Sequence, residues 1–301
     1  MRSRFSTFAW AVLAWNLLVV LWGAYVRASG SGAGCGNNWP LCNGGVVPAA
    51  SRLDTIIEFA HRASSGMALI AVIALAAWSM FRLPRGHRVR RVATLSAVFI
   101  IVEVGLGAGI VLFRYVSQDA SVGRAIYLSL HLVNTQLLLA SLALTAWFSR
   151  EPPEMAAGRA NRIVVATLPV ALAVSISGVI AALADTLFPA LSLSQGMLQD
   201  ISGRAHFLVR LRILHPILAI SGAAYCLFAA GRVLRSIPSR VSVNIALVVL
   251  LLTAVQLIAG TMNLVLLAPI WMQIVHLLFA DLVWISLVLL AVETRKPVKL
   301  G

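Results

Sequence analysis

Charge is what this sequence has least of. Only 11% of its 301 residues are charged, and 10 acidic residues stand against 24 Lys and Arg. With 60% hydrophobic residues and a mean hydropathy of +0.92, too little polar side chain remains to cover a water-soluble domain of this length. Cysteine is scarce as well. The three residues Cys35, Cys42 and Cys226 form no zinc-type cluster, and beyond Glu58 no carboxylate is arranged to complete one. The basic excess does not describe a nucleic-acid face, because Lys and Arg fall in short loops between apolar runs. Those runs lie at roughly 8–26, 54–81, 92–114, 125–148, 162–184, 206–230, 241–267 and 270–292, and each covers the ~20 residues that cross a bilayer. They predict an all-α integral membrane protein of eight transmembrane helices. The first run is long and lacks an A-x-A cleavage site, so it is read as a helix rather than a signal peptide.

Eight spans put both termini on one side. The segments on that side hold Arg2, Arg4, Arg82, Arg85, Arg88, Arg90, Arg91, Arg150, Arg159, Arg162, Arg232, Arg235, Arg240, Arg295, Lys296 and Lys299, which is 16 of the 24 basic residues. The positive-inside bias therefore predicts cytoplasmic termini and a cell-membrane location.

Histidine carries the chemistry. His61, His131, His215 and His276 lie roughly six to nine residues into the second, fourth, sixth and eighth spans, all of which start on the outer side. At ~1.5 Å per residue they share a layer ~9–14 Å below the outer ends. The chain also repeats itself. His61 and His215 are 154 residues apart, Glu103 and Gln256 153, Gly23 and Gly178 155, and His131 and His276 145, the last shortened by a tight loop near Ala268-Pro269. The pattern predicts two pseudo-symmetric four-helix bundles, 1–150 and 151–301, each with one histidine pair. Imidazoles on facing helices suit the axial positions of haem iron. A lone histidine would more often be an interhelical hydrogen bond, but four at matched depth favour two haem sites.

The strings Gly23-Ala-Tyr-Val-Arg27 through Cys35, Trp39-Pro40-Leu41-Cys42, Glu58-Phe59-Ala60-His61-Arg62 and His131-Leu132-Val133-Asn134-Thr135, with His215 and His276, resemble the haem A synthase family over nearly the whole chain. The resemblance implies an oxidoreductase that converts the C8 methyl of haem O to a formyl group, through two hydroxylations and loss of water, to give haem A for terminal oxidases. It implies that His215 and His276 are axial ligands of a haem b cofactor and that His61 and His131 line the substrate-haem pocket. Implied partners are membrane lipid, a haem O synthase, an electron donor or acceptor and a second copy of the chain, with no nucleic acid. Two other readings use the same histidines: a quinol-linked di-haem electron carrier of cytochrome b type, and a haem transporter or chaperone.

Neighbouring residues leave alternatives. Glu58, three residues before His61, is assigned as the catalytic carboxylate; pairing with Arg62 or contact with water is the other reading. Arg27, Arg62, Arg210 and Arg212 are candidates for propionate contacts or for plain interfacial anchors. Asn134 and Thr135 either orient a ligand or tie helices together, and Ser64, Ser65 and Gly66 either admit a macrocycle or serve helix packing. Cys35 and Cys42 fall in an outer, oxidising loop and are expected to form a disulfide, as a lid or with a redox role. His87 and His206 are read as solvated, Cys226 as buried alone, and Glu103 and Asp281 as facing the interior with unidentified partners.

Overall fold

In the computed structural model the described residues are 2–48, 52–150, 158–159, 161–236, 239–294 and 296–297. The expected boundary at 150/151 therefore abuts a segment outside the described residues, as do Arg295 and Lys299. Helices dominate: α1 (Arg2–Ala28), α2 (Leu53–Arg82), α3 (Arg88–Leu112), α4 (Val122–Phe148), α5 (Arg162–Leu187), α6 (Leu193–Ile201), α7 (Phe207–Arg212), α8 (Leu214–Arg235), α9 (Arg240–Val265) and α10 (Ile270–Glu293). Among the described residues the extended pairing in named strands is a two-residue antiparallel match of Gly158–Arg159 with Lys296–Pro297. Eight helical stretches are long and apolar enough to cross a membrane, one for each of the eight apolar runs.

Local chemistry explains most boundaries. The side chains of His87, Ser121, Asn161, Ser192, His206 and Ser239 each accept a backbone N–H of the first turn of the helix they precede. The sixth span is broken at Ile213, which separates α7 from α8. Pro216 accounts for the break, because it has no N–H to give to the carbonyl of Arg212. The α9–α10 link is tight, with Leu267 and Ala268 at positive φ before Pro269.

Helices α1, α2, α3 and α4 pack in sequence and α4 returns to α1; α5, α8, α9 and α10 pack in the same closed order. Contacts of α4 with α5 and α10, and of α1 with α10, join the two groups. Side chains such as Phe81, Ile70, Ile220 and Leu251 are exposed on the outside, as a lipid-facing surface requires.

The core is one-sided. Its main cluster takes Phe5, Ala9 and Leu13 from the start of α1, Val72 and Leu75 from the end of α2, Leu138, Leu139 and Leu142 from the end of α4, and Leu287 and Leu290 from the end of α10. All of these lie toward the terminus side. Among the described residues the opposite side holds a small cluster, Ala125, Leu183, Ala184 and Leu208. Dense aliphatic packing on one side thus leaves the other side, where the histidines lie, to rings, glycines and polar groups.

Candidate functional site

His61, His131, His215 and His276 follow the starts of their spans (Leu53, Val122, Phe207 and Ile270) by eight, nine, eight and six residues, so they form one layer. Each lies against a glycine on another helix. A Cβ built on Gly23 would stand 2.9 Å from Cε1 of His61; the corresponding distances are 3.0 Å for Gly178 and His215, 2.9 Å for Gly260 and His276, and 4.0 Å for Gly107 and His131. Three of the rings therefore occupy volume that any side chain would take.

Two of the rings come together. His215 and His276 have centroids 6.3 Å apart at 80°. Two imidazoles on opposite sides of one metal, each bonded at ~2 Å, hold their centroids at about 6 Å, so this pair has the spacing of axial ligands. The Nδ1 atoms of His61, His131 and His276 are buried without a hydrogen-bond partner, whereas Nδ1 of His215 lies 3.0 Å from the Ser177 hydroxyl. Unsatisfied buried nitrogens on these rings fit groups that bind something. Among the described residues no set of three or more His, Cys, Asp or Glu is placed to hold a metal ion.

Each group of helices closes its end away from the termini through the residue three positions before its first histidine. Glu58, 3% exposed, accepts from the Cys35 N–H at 2.8 Å through Oε2 and from Arg62 at 2.5 and 3.1 Å through Oε1. Arg62 also donates to the carbonyls of Asn38 and Leu41, at 2.6 and 2.9 Å. Cys35 and Cys42 are joined in a disulfide, and Thr55 ties the same loop by donating to the Gly34 carbonyl. In the other half, Arg212 bonds Asp185 at 2.8 Å and Asp200 at 2.7 Å, which fastens α6 over the end of the bundle. Helix α6 and this clamp gave no signal in an apolar-run reading, because nine residues are too few to span and the acids are distant in sequence.

The remaining arginines differ. Arg27 donates to the Ala182 carbonyl, Thr186 and Gln273, at 2.8, 2.7 and 3.0 Å, linking α1 to α5 and α10. Arg210 is exposed, and among the described residues its guanidinium has no hydrogen-bond or ion-pair partner. Asn134 and Thr135 make interhelical bonds: Asn134 donates to the Phe99 carbonyl and to Glu103 at 2.9 and 2.6 Å, and Thr135 donates to Glu103. Ser64 and Ser65 turn back to the His61 carbonyl, while a Cβ on Gly66 would meet open space. His206 is not simply solvated, since its ring stacks on Phe188 at 4.9 Å. Asp281 finds its partner in Gln136 at 2.9 Å, and Cys226 is free and buried.

Fold and site together define a multi-pass membrane protein that presents four histidines in one layer, two of them face to face. Comparison with known proteins places it further. A family described as cytochrome oxidase assembly protein (COX15-CtaA) matches residues 6–288, and the chain belongs to that family; its eight apolar helices and bacterial relatives make it a multi-pass protein of the bacterial cell membrane. It is 43% identical over 306 residues to a Thermus thermophilus protein named Protoheme IX farnesyltransferase, which covers 99% of this chain and 50% of the relative. Proteins named Heme A synthase are similar over shorter stretches: 43% over 97 residues in Bacillus licheniformis, 32% of each chain, and 32% over 139 residues in an Exiguobacterium species, 46% of this chain and 45% of the relative. The chain thus spans about half the length, or less, of the relatives it matches.

Proposed function

We propose that this protein is a haem A synthase, oxidising the C8 methyl of haem O to the formyl group of haem A. The observation that carries the reading is a layer of four histidines, two of them at axial-ligand spacing, in a chain of this family. The two closed helix groups are read as pseudo-symmetric halves, 1–150 and 151–301, with both termini cytoplasmic. His215 and His276 hold haem b, and His61 and His131 receive the substrate haem. A haem between imidazoles supplies one-electron redox chemistry, and the second, substrate haem supplies the carbon to be oxidised.

The chain's own groups do the rest. Gly23, Gly178 and Gly260 seat the rings, and the terminus-side core holds the helices at fixed spacing. The disulfide loop and α6 cover the outer ends and exclude water. Glu58, at the substrate-side pair, is the catalytic carboxylate, with Arg62 and the Cys35 N–H fixing its orientation. Arg210 is the arginine with donors to spare for a propionate; Arg27, Arg62 and Arg212 would have to exchange protein partners to serve there.

A relative named for farnesylating protohaem carries a stretch like this chain over half its length, which supports a haem O synthase as the partner that delivers substrate. An electron donor or acceptor and self-association remain part of the same proposal. The test is pigment analysis of cells making the protein together with a haem O synthase. Haem A in the extract, absent without the protein, is the expected result. Bound haem without any haem A would favour the di-haem carrier, and release of unmodified haem O to an acceptor would favour the transporter.

A further inference from the structure

The two halves match in their histidines and glycines but not in what surrounds the second histidine of each pair. In the first half Glu103 on α3 lies with its Oε2 3.5 Å from Nδ1 of His131. That contact is electrostatic and longer than a hydrogen bond. The carboxylate does not drift, because Asn134 donates to Oε2 at 2.6 Å and Thr135 donates to Oε1. Both donors sit one turn beyond His131 on α4, so the residues that position Glu103 are on the histidine's own helix face.

At the matched positions of the second half none of this is present. Glu103 corresponds to Gln256, 153 residues on, and Asn134 and Thr135 correspond to Phe279 and Ala280 by the offset of 145 that relates His131 to His276. Gln256 stands 3.4 Å from the Nε2 of His276, and it is neutral. One site therefore carries a carboxylate beside Nδ1 of its histidine, and the other carries an amide beside Nε2.

We propose that Glu103 is the positioning residue that makes the first-half site chemically distinct. It turns Nδ1 of His131 toward itself, leaves Nε2 for iron, and strengthens the imidazole as a donor. A carboxylate behind a ligating imidazole raises the basicity of that ligand, and a fixed negative charge beside the ring favours the more oxidised metal. The iron at His61 and His131 is thereby set at a lower potential than it would have beside an amide. This inference rests on the reading of the first pair as a haem site. A purely structural Glu103 would only clamp α3 to α4 and would leave the potential unchanged.

The experiment is a spectroelectrochemical titration of the full-length protein carrying haem b and loaded with haem O. The wave that disappears in His131→Ala belongs to the first-half site. Glu103→Gln should move that wave upward by a factor of about ten or more in the ferric-to-ferrous ratio, the usual scale for losing such a partner and equivalent to about 59 mV per tenfold for one electron. The other wave should stay in place, and Glu103→Asp should recover part of the shift. Should Glu103→Gln fail to fold, Glu103→Asp by itself, which withdraws the charge by one methylene, should move the wave part of the way upward from the wild-type position. A first-half wave unmoved in Glu103→Gln with haem retained, or unmoved in Glu103→Asp where Glu103→Gln does not fold, overturns the proposal. Loss of no wave at all in His131→Ala is a different failure, because it removes the first-half haem site itself.

Discussion

Replacing Gly260 by alanine adds one carbon at a place where the structure has no room for it. The new Cβ would stand 2.9 Å from Cε1 of His276 and 3.5 Å from its Nδ1. The backbone of α9 is held on both sides, so the ring moves rather than the helix, and a rotated ring no longer points along the axis it shares with His215, 6.3 Å away. Inserting a methyl into a filled site costs about 1–3 kcal/mol. Here the cost appears as weaker binding of the group between the rings, about 5- to 150-fold. Haem b content of purified protein, measured by its absorbance per polypeptide over a range of added haem, reads this directly. Gly231→Ala on α8, where a Cβ would meet nothing within 4 Å, is the control and should bind normally, with about 0.5–1 kcal/mol of added helix stability. Gly107→Ala, at 4.0 Å from His131, should be close to silent as well. Full haem b content with an unchanged spectrum in Gly260→Ala would refute the argument that the glycine seats a ligand.

Three further outcomes are expected. Glu58→Gln should leave haem b content intact while haem A formation falls at least tenfold in the pigment assay, and near-normal haem A would show that the Arg62 and Cys35 contacts are Glu58's whole role. Cys35→Ser should loosen the outer loop by roughly 2–3 kcal/mol through lost loop closure, seen as faster proteolysis there; in the native protein both thiols should resist labelling until reduced. Asp281→Ala should destabilise the protein by about 1–3 kcal/mol or more, because it leaves the Gln136 amide buried without its acceptor, whereas Asp281→Asn should be milder; a thermal shift assay in detergent orders the two.

The clamp at Glu58 shows why some of the site escaped a reading of the chain. Glu58, His61 and Arg62 are neighbours in one helix, so their shared face and the option of a Glu58–Arg62 pair follow from helical spacing. That the second carboxylate oxygen meets the Cys35 N–H depends on where a disulfide loop lands, 23 residues away. Arg212 is the harder case. Its partners Asp185 and Asp200 lie on different segments, and nothing local predicts that α6 folds back to meet it.

What the sequence determined by itself is what the solvent dictates. A bilayer core tolerates only backbone that satisfies its own hydrogen bonds, so long apolar runs mean helices, and polar side chains within them stand out against a uniform background. Eight spans and the histidine layer were legible for that reason. The tertiary structure decided which groups meet: that His215 and His276 face each other, that Asn134 and Thr135 serve Glu103, and that Gln136 and Asp281 join the two halves between α4 and α10. Contacts between helices depend on rotation and tilt about each axis, set by the summed packing of many side chains such as Leu139, Leu142, Leu287 and Leu290, and no single stretch of chain carries that sum.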